Sequence, residues 1–455
     1  MYREKIEALK EWKNKDNKKV LLIKGAKFVG KTYLTKNFAL QNYERTVYIR
    51  CKSQIGDFEY QILNSAQNEE FEVLETENLV KNLNLSKEDN IIRIAKKIGE
   101  VDKEKEKVLV IIDNLEENME LIKQINTVNC KLENIDLIVI TSNWGITTNG
   151  ISLENKNIES IIIRPLNYIE FLFAIGEEEL AKNLKNIKIQ EIQESEEIKK
   201  VQELKAKYIN NLKKYMYIGG MPEVVANFSE NKNYQIVRQL QVKIVENIKK
   251  YIEKKAPSLI LGEIKSILKN IPIQLKKKDK RFVCKEIDRS AQDWQYDLAV
   301  NFLKDLGLIH KVTRITRPEE PLAVYQNNMH YRLFFIDVGL LSAMENSDLK
   351  VILEENQIFN MENSVLTTQF ICQEFLSKIF ANLYYWQEEK YFYNIDFVIQ
   401  YQGKIYSFQI DTINKENNKD LWIYHFKFKQ YNCYRITISQ FEEKGWNIDT
   451  PIYLI

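Results

Sequence analysis

The stretch VLLIKGAKFVGKTYLTKNF, residues 20–38, constrains the fold of this 455-residue chain more than any other. Val20 to Ile23 is apolar without polar alternation, which reads as a strand covered on both faces and therefore set inside a parallel sheet. A glycine-flanked turn follows, Gly25-Ala26-Lys27-Phe28-Val29-Gly30-Lys31-Thr32-Tyr33, and then a helical pattern. Such a unit points successive backbone N–H groups at one place, and its glycines permit left-handed φ values and close approach. Phosphate oxygens suit that arrangement. Lys31 would reach the β and γ phosphates of ATP, the Thr32 hydroxyl would ligate Mg²⁺, and the following helix adds its N-terminal dipole.

The partner of a phosphate loop is an acidic residue closing another apolar strand. VLVIID ends at Asp113, which would hold the metal through water. Many ATPases place Glu next, to polarise the attacking water. Here the chain reads Asp113-Asn114-Leu115-Glu116-Glu117. Asn114 can orient a water but cannot accept its proton. Glu116 or Glu117 would substitute only if the loop curls back. The strand at 136–141 ends Thr141-Ser142-Asn143, where a polar residue such as Asn143 can sense the γ-phosphate or simply cap a strand end. Strands are expected at 20–24, 46–50, 107–112, 136–141 and 160–163, joined by crossover helices.

Composition excludes several other classes. The formal charge is +2, and the five cysteines lack any CxxC or CxxH spacing, which argues against a disulfide framework or a structural zinc. No apolar run reaches about 18 residues, and the first residues form a charged helix rather than a signal peptide. A cytoplasmic protein without a membrane partner is expected. Charge is uneven: residues 234–330 carry 19 Lys or Arg against 11 Asp or Glu. That excess suits either non-specific DNA or a solvated basic face.

The pattern divides into four segments. Residues 1–176 form the phosphate-loop core, and 177–233 a helical, lid-like segment. Residues 234–330 read as helices followed by a two-stranded wing, a winged-helix pattern. Residues 331–455 read as an α/β domain with a mixed sheet. Trp294, Leu298, Phe302 and Leu306 lie at helical spacing and are expected in the core. Lys276, Lys277, Lys278, Lys280 and Arg281 are the candidates for a phosphate backbone.

Several segments occur in a familiar order. They are the phosphate loop, IIDN (111–114), IRPLNYIEFLFAIG (163–176), YIGGMPEVVANF (217–228), KKYIEKKAP (249–257), YRLFFIDVGLLSAM (331–344), MENSVL (361–366) and IDFVIQ (395–400). Together they resemble a large bacterial and archaeal family of AAA-like P-loop ATPases, whose loop at Gly25–Thr32 is the Walker A motif. Members carry a C-terminal domain similar to the PD-(D/E)xK restriction-endonuclease fold. The resemblance implies Gly25, Gly30, Lys31 and Thr32 at the nucleotide and Asp113 at the metal. The family usually has Asp-Glu where this chain has Asp113-Asn114, and Gly-Ser near Ser142-Asn143. The nuclease pattern needs a helix Glu, a strand-end Asp and Glu-x-Lys. Glu362 and Asp396 fill the first two positions, whereas Gln409-Ile410-Asp411 replaces the last and Asn394 stands where Glu is frequent.

The expectation is an α/β protein that binds ATP and Mg²⁺ as a nucleotide-dependent switch, with slow or absent hydrolysis and a catalytically inactive nuclease-like domain. Arg164, Arg281 and Arg289 are weak candidates for a γ-phosphate contact. The alternatives are an active ATPase acting on DNA, and a scaffold that holds nucleotide structurally for an unknown protein partner.

Overall fold

The computed structural model describes residues 1–16, 18–51, 58–64, 108–118, 122, 125, 135–142, 157–187, 195–291, 293–353, 359, 364–378, 382–388, 393–412 and 419–455. These fall into two compact units. One comprises Arg3–Arg164 with Asp305–Gly307, the other Met1–Tyr2, Pro165–Lys304 and Leu308–Ile455.

The first unit is a six-stranded sheet. Its strands are β1 (Val20–Lys24), β2 (Arg45–Cys51), β3 (Phe58–Asn64), β4 (Val108–Asp113), β5 (Ile135–Thr141) and β6 (Ile158–Ile162), in the order β3-β2-β4-β5-β1-β6. All neighbours are parallel except β3, which pairs antiparallel with β2 at the edge. Every residue of β1, β4 and β5 is buried, as their unbroken apolar runs require. Helices α1 (Lys5–Lys13) and α2 (Lys31–Asn42) belong to this unit. In register, Lys24 lies beside Thr141 and Arg50 beside Asp113, so β1, β4 and β5 end together at one edge. In open parallel sheets that edge is where ligands bind. β3 was not expected. Its FEYQILN sequence carries a partial apolar–polar alternation, the signal of an edge strand.

The second unit begins with α3 (Tyr168–Ala174), whose start is fixed by a capping box. Asn167 Oδ1 accepts from the Glu170 N–H at 2.8 Å, and Glu170 Oε2 accepts from the Asn167 N–H at 3.2 Å. The expected helical segment 177–233 opens with α4 (Glu178–Lys185), α5 (Glu196–Glu203) and α6 (Lys205–Ile218). Next come α7 (Pro222–Asn231), α8 (Tyr234–Lys255), α9 (Leu261–Leu275) and α10 (Asp293–Asp305).

An eight-stranded sheet follows: β7 (Ile309–Ile315), β8 (Gln326–Phe335), β9 (Leu383–Gln387), β10 (Asn394–Tyr401), β11 (Lys404–Ile410), β12 (Cys433–Thr437), β13 (Glu442–Glu443) and β14 (Asn447–Pro451). Their order is β13-β14-β12-β11-β10-β9-β7-β8. Helices α11 (Val338–Met344), α12 (Leu349–Leu353), α13 (Ser364–Lys378) and α14 (Lys419–Phe428) complete the unit. The hairpin β7–β8, read from sequence as a wing, is the edge of this sheet: β7 runs parallel to β9, and the expected boundary at 330/331 falls inside β8. On α10 the buried residues are Tyr296, Ala299, Val300 and Leu303. Of the expected core stripe, Leu306 is buried and Phe302 half-buried, whereas Trp294 and Leu298 are about half exposed, at 52% and 48%, which corrects its first half.

The turn between α6 and α7 shows why two glycines stand there. Gly219 has φ +76°, and a Cβ on Gly220 would lie 2.1 Å from the Leu166 carbonyl oxygen. The Gly220 N–H donates to Asp337 Oδ2 at 2.7 Å, while the other Asp337 oxygen caps α11 through the Leu340 N–H. Asp337 is fully buried, and burial pushes its carboxyl up to about 6.

Candidate nucleotide site

The loop between β1 and α2 has the backbone that a phosphate cradle requires. Phe28 (φ +70°) and Gly30 (φ +86°) are both left-handed. Gly25 admits no side chain, because a Cβ would meet the Ile163 carbonyl oxygen at 2.4 Å. Lys31 is buried and turns back over the loop. Its ammonium donates to the carbonyls of Gly25 (2.9 Å) and Ala26 (2.7 Å) and to Ser142 Oγ (3.0 Å). Burial lowers its pKa to about 8, against the raising pull of Glu116 and Asp113. Within the loop, Ala26 and Val29 are buried, Lys27 is partly buried and Phe28 is exposed, while Tyr33 on the helix is two-thirds exposed.

Asp113 closes β4 within reach of the loop. Thr32 Oγ1 donates to Asp113 Oδ2 at 2.6 Å, Tyr48 Oη donates to the same oxygen at 2.7 Å, and the Asn114 N–H donates to Oδ1 at 2.7 Å. Tyr48 was missed from sequence. It lies on β2 opposite Ile111, and Lys36 sits 3.8 Å over its ring.

Beyond Asp113 the chain does curl back. Asn114 is left-handed (φ +56°, ψ +43°) and Leu115–Glu117 form one 3₁₀ turn. Glu116 is thereby buried at the end of β5. Its Oε2 accepts from Thr141 Oγ1 (3.0 Å) and the Ser142 N–H (3.1 Å), and its Oε1 lies 3.1 Å from Lys27 Nζ. Lys27 also donates to Asn114 Oδ1 at 3.0 Å. Burial alone would raise the Glu116 pKa; Lys27, the backbone N–H groups and Lys31 hold it below the usual range. The strand-end contact to Lys31 is made by Ser142, while Asn143 lies outside the described residues.

The positions read as a degenerate nuclease site are differently engaged. Glu362 lies outside the described residues. Asp396, fully buried on β10, accepts from Lys280 Nζ (2.8 Å) and Asn394 Nδ2 (3.2 Å) on Oδ1 and from the Ile410 N–H (3.0 Å) on Oδ2. Arg332 stands 3.6 Å from Oδ1. Burial pushes the Asp396 carboxyl up, and Lys280 and Arg332 outweigh it, keeping it below its ordinary range. Gln409 is half-buried on β11, and Asp411 pairs with Arg435 at 3.3 Å. Among the described residues no group of three or more His, Cys, Asp or Glu side chains is arranged to hold a metal.

The basic run is largely engaged within the chain. Lys276 pairs with Glu345 at 2.8 Å, Lys277 with Glu286, and Lys280 with Asp396. No described helix is long and apolar enough to cross a membrane.

Fold and site together define a phosphate-loop protein: a parallel sheet, a lysine in a left-handed glycine loop, and a Thr–Asp pair at the ends of neighbouring elements. A family model described as Domain of unknown function (DUF8612) matches residues 209–350. No curated protein sequence matches the chain. Among solved structures, the chain is similar to the Walker-type ATPase PABY2304 of Pyrococcus abyssi, at 11% identity and TM-score 0.46, over 75% of this chain and 95% of that one. It is also similar to the Aeropyrum pernix ORC1 protein in complex with DNA (11%, TM-score 0.27, 75% and 90%) and to C. elegans PCH-2 (14%, 0.25, 50% and 61%). At these scores the site geometry, not the likeness, carries the assignment.

Proposed function

We propose that this chain binds ATP with Mg²⁺ as an AAA-like switch that turns over slowly, and that its C-terminal sheet is a nuclease-like fold that does not cut. The observation that carries the first part is the Lys31–Thr32–Asp113 constellation at the open edge of β1 and β4. The residues suit the metal: a hydroxyl and a carboxylate oxygen 2.6 Å apart, beside a loop with left-handed backbone at Phe28 and Gly30. Thr32 would ligate Mg²⁺ directly and Asp113 through water. An ion held there would supply positive charge to offset that of the nucleotide phosphates.

The chain's own residues do the rest. Lys31 exchanges the neutral carbonyls of Gly25 and Ala26 for phosphate oxygens, a change from neutral to charge-assisted hydrogen bonds. Slow turnover follows from what flanks Asp113. The Asn114 amide takes no proton, and its oxygen already accepts from Lys27. Glu116, one of the two alternative bases, is held by Thr141, Ser142 and Lys27. A triphosphate drawing Lys27 away from Glu116 would couple nucleotide occupancy to the end of β5, which is the switch.

The nuclease-like reading is supported by element order. Helix α13 is followed by β9, β10 and β11 in antiparallel succession, then by α14 and by β12 parallel to β11. The absence of cutting is supported by Lys280 lying against Asp396, where an attacking system would need a metal. Nucleotide content and ATP turnover, measured on one purified sample, test the whole reading. Bound nucleotide or micromolar affinity with slow turnover is expected. Failure of ATP to bind, or undiminished affinity in Lys31→Ala, refutes it.

A further inference from the structure

The backbone places Asp113 but does not aim its carboxylate. The last torsion of an aspartate is broad, so its two oxygens point where their donors hold them. Mg²⁺ keeps several of its waters and tolerates little distortion of its octahedron. A carboxylate that acts on it through water must therefore be aimed closely.

Three donors aim Asp113. The Asn114 N–H fixes Oδ1 at 2.7 Å, while Thr32 Oγ1 (2.6 Å) and Tyr48 Oη (2.7 Å) both donate to Oδ2. The two hydroxyls stand in different places. Thr32 opens the helix behind the phosphate loop, and its oxygen is the one that would turn to a metal. Its hold on Oδ2 would loosen on binding. Tyr48 is on β2, which β4 and β5 separate from β1, so its hydroxyl stays with Asp113.

Strand register gives Tyr48 this reach. Tyr48 lies beside Ile111, and Arg50 beside Asp113. Alternation puts Tyr48 and Asp113 on one face of the sheet, two residues apart along the strands. That distance, about 6.6 Å, is one a tyrosine side chain spans. The ring is also covered from α2, where Lys36, one helical turn after Thr32, lies 3.8 Å over it. Tyr48 and Asp113 are both buried, at 4% and 5% exposed, so little water competes for the bond between them.

We propose that Tyr48 is a positioning residue of the nucleotide site, whose hydroxyl keeps Asp113 Oδ2 aimed at a hydrated Mg²⁺ as Thr32 turns to the ion. The inference rests on the ATP reading above. It assigns the work to the hydroxyl rather than to the ring. It also separates two metals: Ca²⁺ accepts carboxylates in flexible, one- or two-oxygen geometries, so it depends less on their aim.

The test compares the full chain with its Tyr48→Phe variant, which keeps the ring beneath Lys36. ATP affinity is measured by calorimetry in EDTA, in saturating Mg²⁺ and in saturating Ca²⁺. The factor by which Mg²⁺ tightens ATP binding should fall on the order of tenfold, the usual loss when a group that orients a metal-site carboxylate is removed. Affinity in EDTA should keep its wild-type value, which also reports that the variant is folded, and the Ca²⁺ factor should fall less. An unaltered Mg²⁺ factor overturns the assignment, as does a Ca²⁺ factor that falls as far. An equal loss in all three conditions also overturns it, being the result of lost packing alone. A wild-type chain that fails to bind ATP, or binds it without response to Mg²⁺, refutes the ATP reading itself and this inference with it.

Discussion

ATP binding above pH 8 should take up a proton, and Lys31 should be its source of demand. Burial sets the Lys31 pKa at about 8 while its ammonium rests on neutral carbonyls. Phosphate oxygens in their place return it toward the ordinary value of about 10.4. At pH 8.5 about three-quarters of free chains then hold Lys31 neutral, so each ATP bound draws in about 0.75 proton. The terminal phosphate, with its second ionisation near pH 6, is already fully charged and contributes little. Between pH 8 and 10, affinity should fall about tenfold per pH unit at the limit. Calorimetry at pH 8.5 with excess Mg²⁺, in two buffers of different ionisation enthalpy, reads the uptake directly. Equal binding enthalpies in both buffers would refute the reasoning, and Lys31→Met should give that null result by design. Without nucleotide the sign is opposite in effect. The unfolded chain keeps the proton from about pH 8 to 10.5, so the fold gains stability as pH rises through that window.

Thr32→Ala should lose the Mg²⁺-dependent part of ATP affinity, leaving the metal-free part nearly unchanged by calorimetry. Asn114→Glu should raise steady-state turnover by about 10²–10⁴-fold, the typical worth of a positioned base; brisk wild-type turnover abolished by Glu116→Gln would show that Glu116 is the base. Asp337 holds its proton to about pH 6 in the fold and to about pH 4 when unfolded. Stability should therefore fall by about 3 kcal/mol from this group as pH rises from 4 to 6, a slope that denaturation of Asp337→Asn should lack. Cleavage assays with Mg²⁺ or Mn²⁺ on DNA and RNA should stay at background; metal-dependent cutting abolished by Asp396→Ala would overturn the inactive reading.

What was legible in the sequence was what repeats locally. The five parallel strands lie where their apolar runs placed them; in the phosphate loop Gly30 stands where left-handed backbone is needed and Gly25 where the Ile163 carbonyl leaves no room for a side chain. Less legible were features set by distant partners. The amphipathic face of α10 was misread because Trp294 and Leu298 sit at helical spacing as well as Tyr296, Val300 and Leu303 do. Which stripe turns inward depends on neighbouring elements, not on spacing. Glu116 was named as an option, and its capture by Lys27, Thr141 and Ser142 depends on one left-handed residue, Asn114. Tyr48 and the Lys280–Asp396 pair join residues 65 and 116 positions apart, and no local pattern announces them.

The bond between Gly220 and Asp337 also has a consequence for biosynthesis. The two residues are separated by 117 positions, so at about 5–20 residues per second the α6–α7 turn emerges roughly 6–25 s before the carboxylate that holds it. Tyr168 waits longer, since its N–H donates to Glu374 across 206 positions. The phosphate-loop unit, by contrast, draws its sheet from strands that end at Ile162. On the ribosome it can assemble while the chain after Pro165 is still missing the residues that tie its first helices down. Those helices present open ends during that interval, and a chain stalled before Asp337 would expose them to chaperones and proteases.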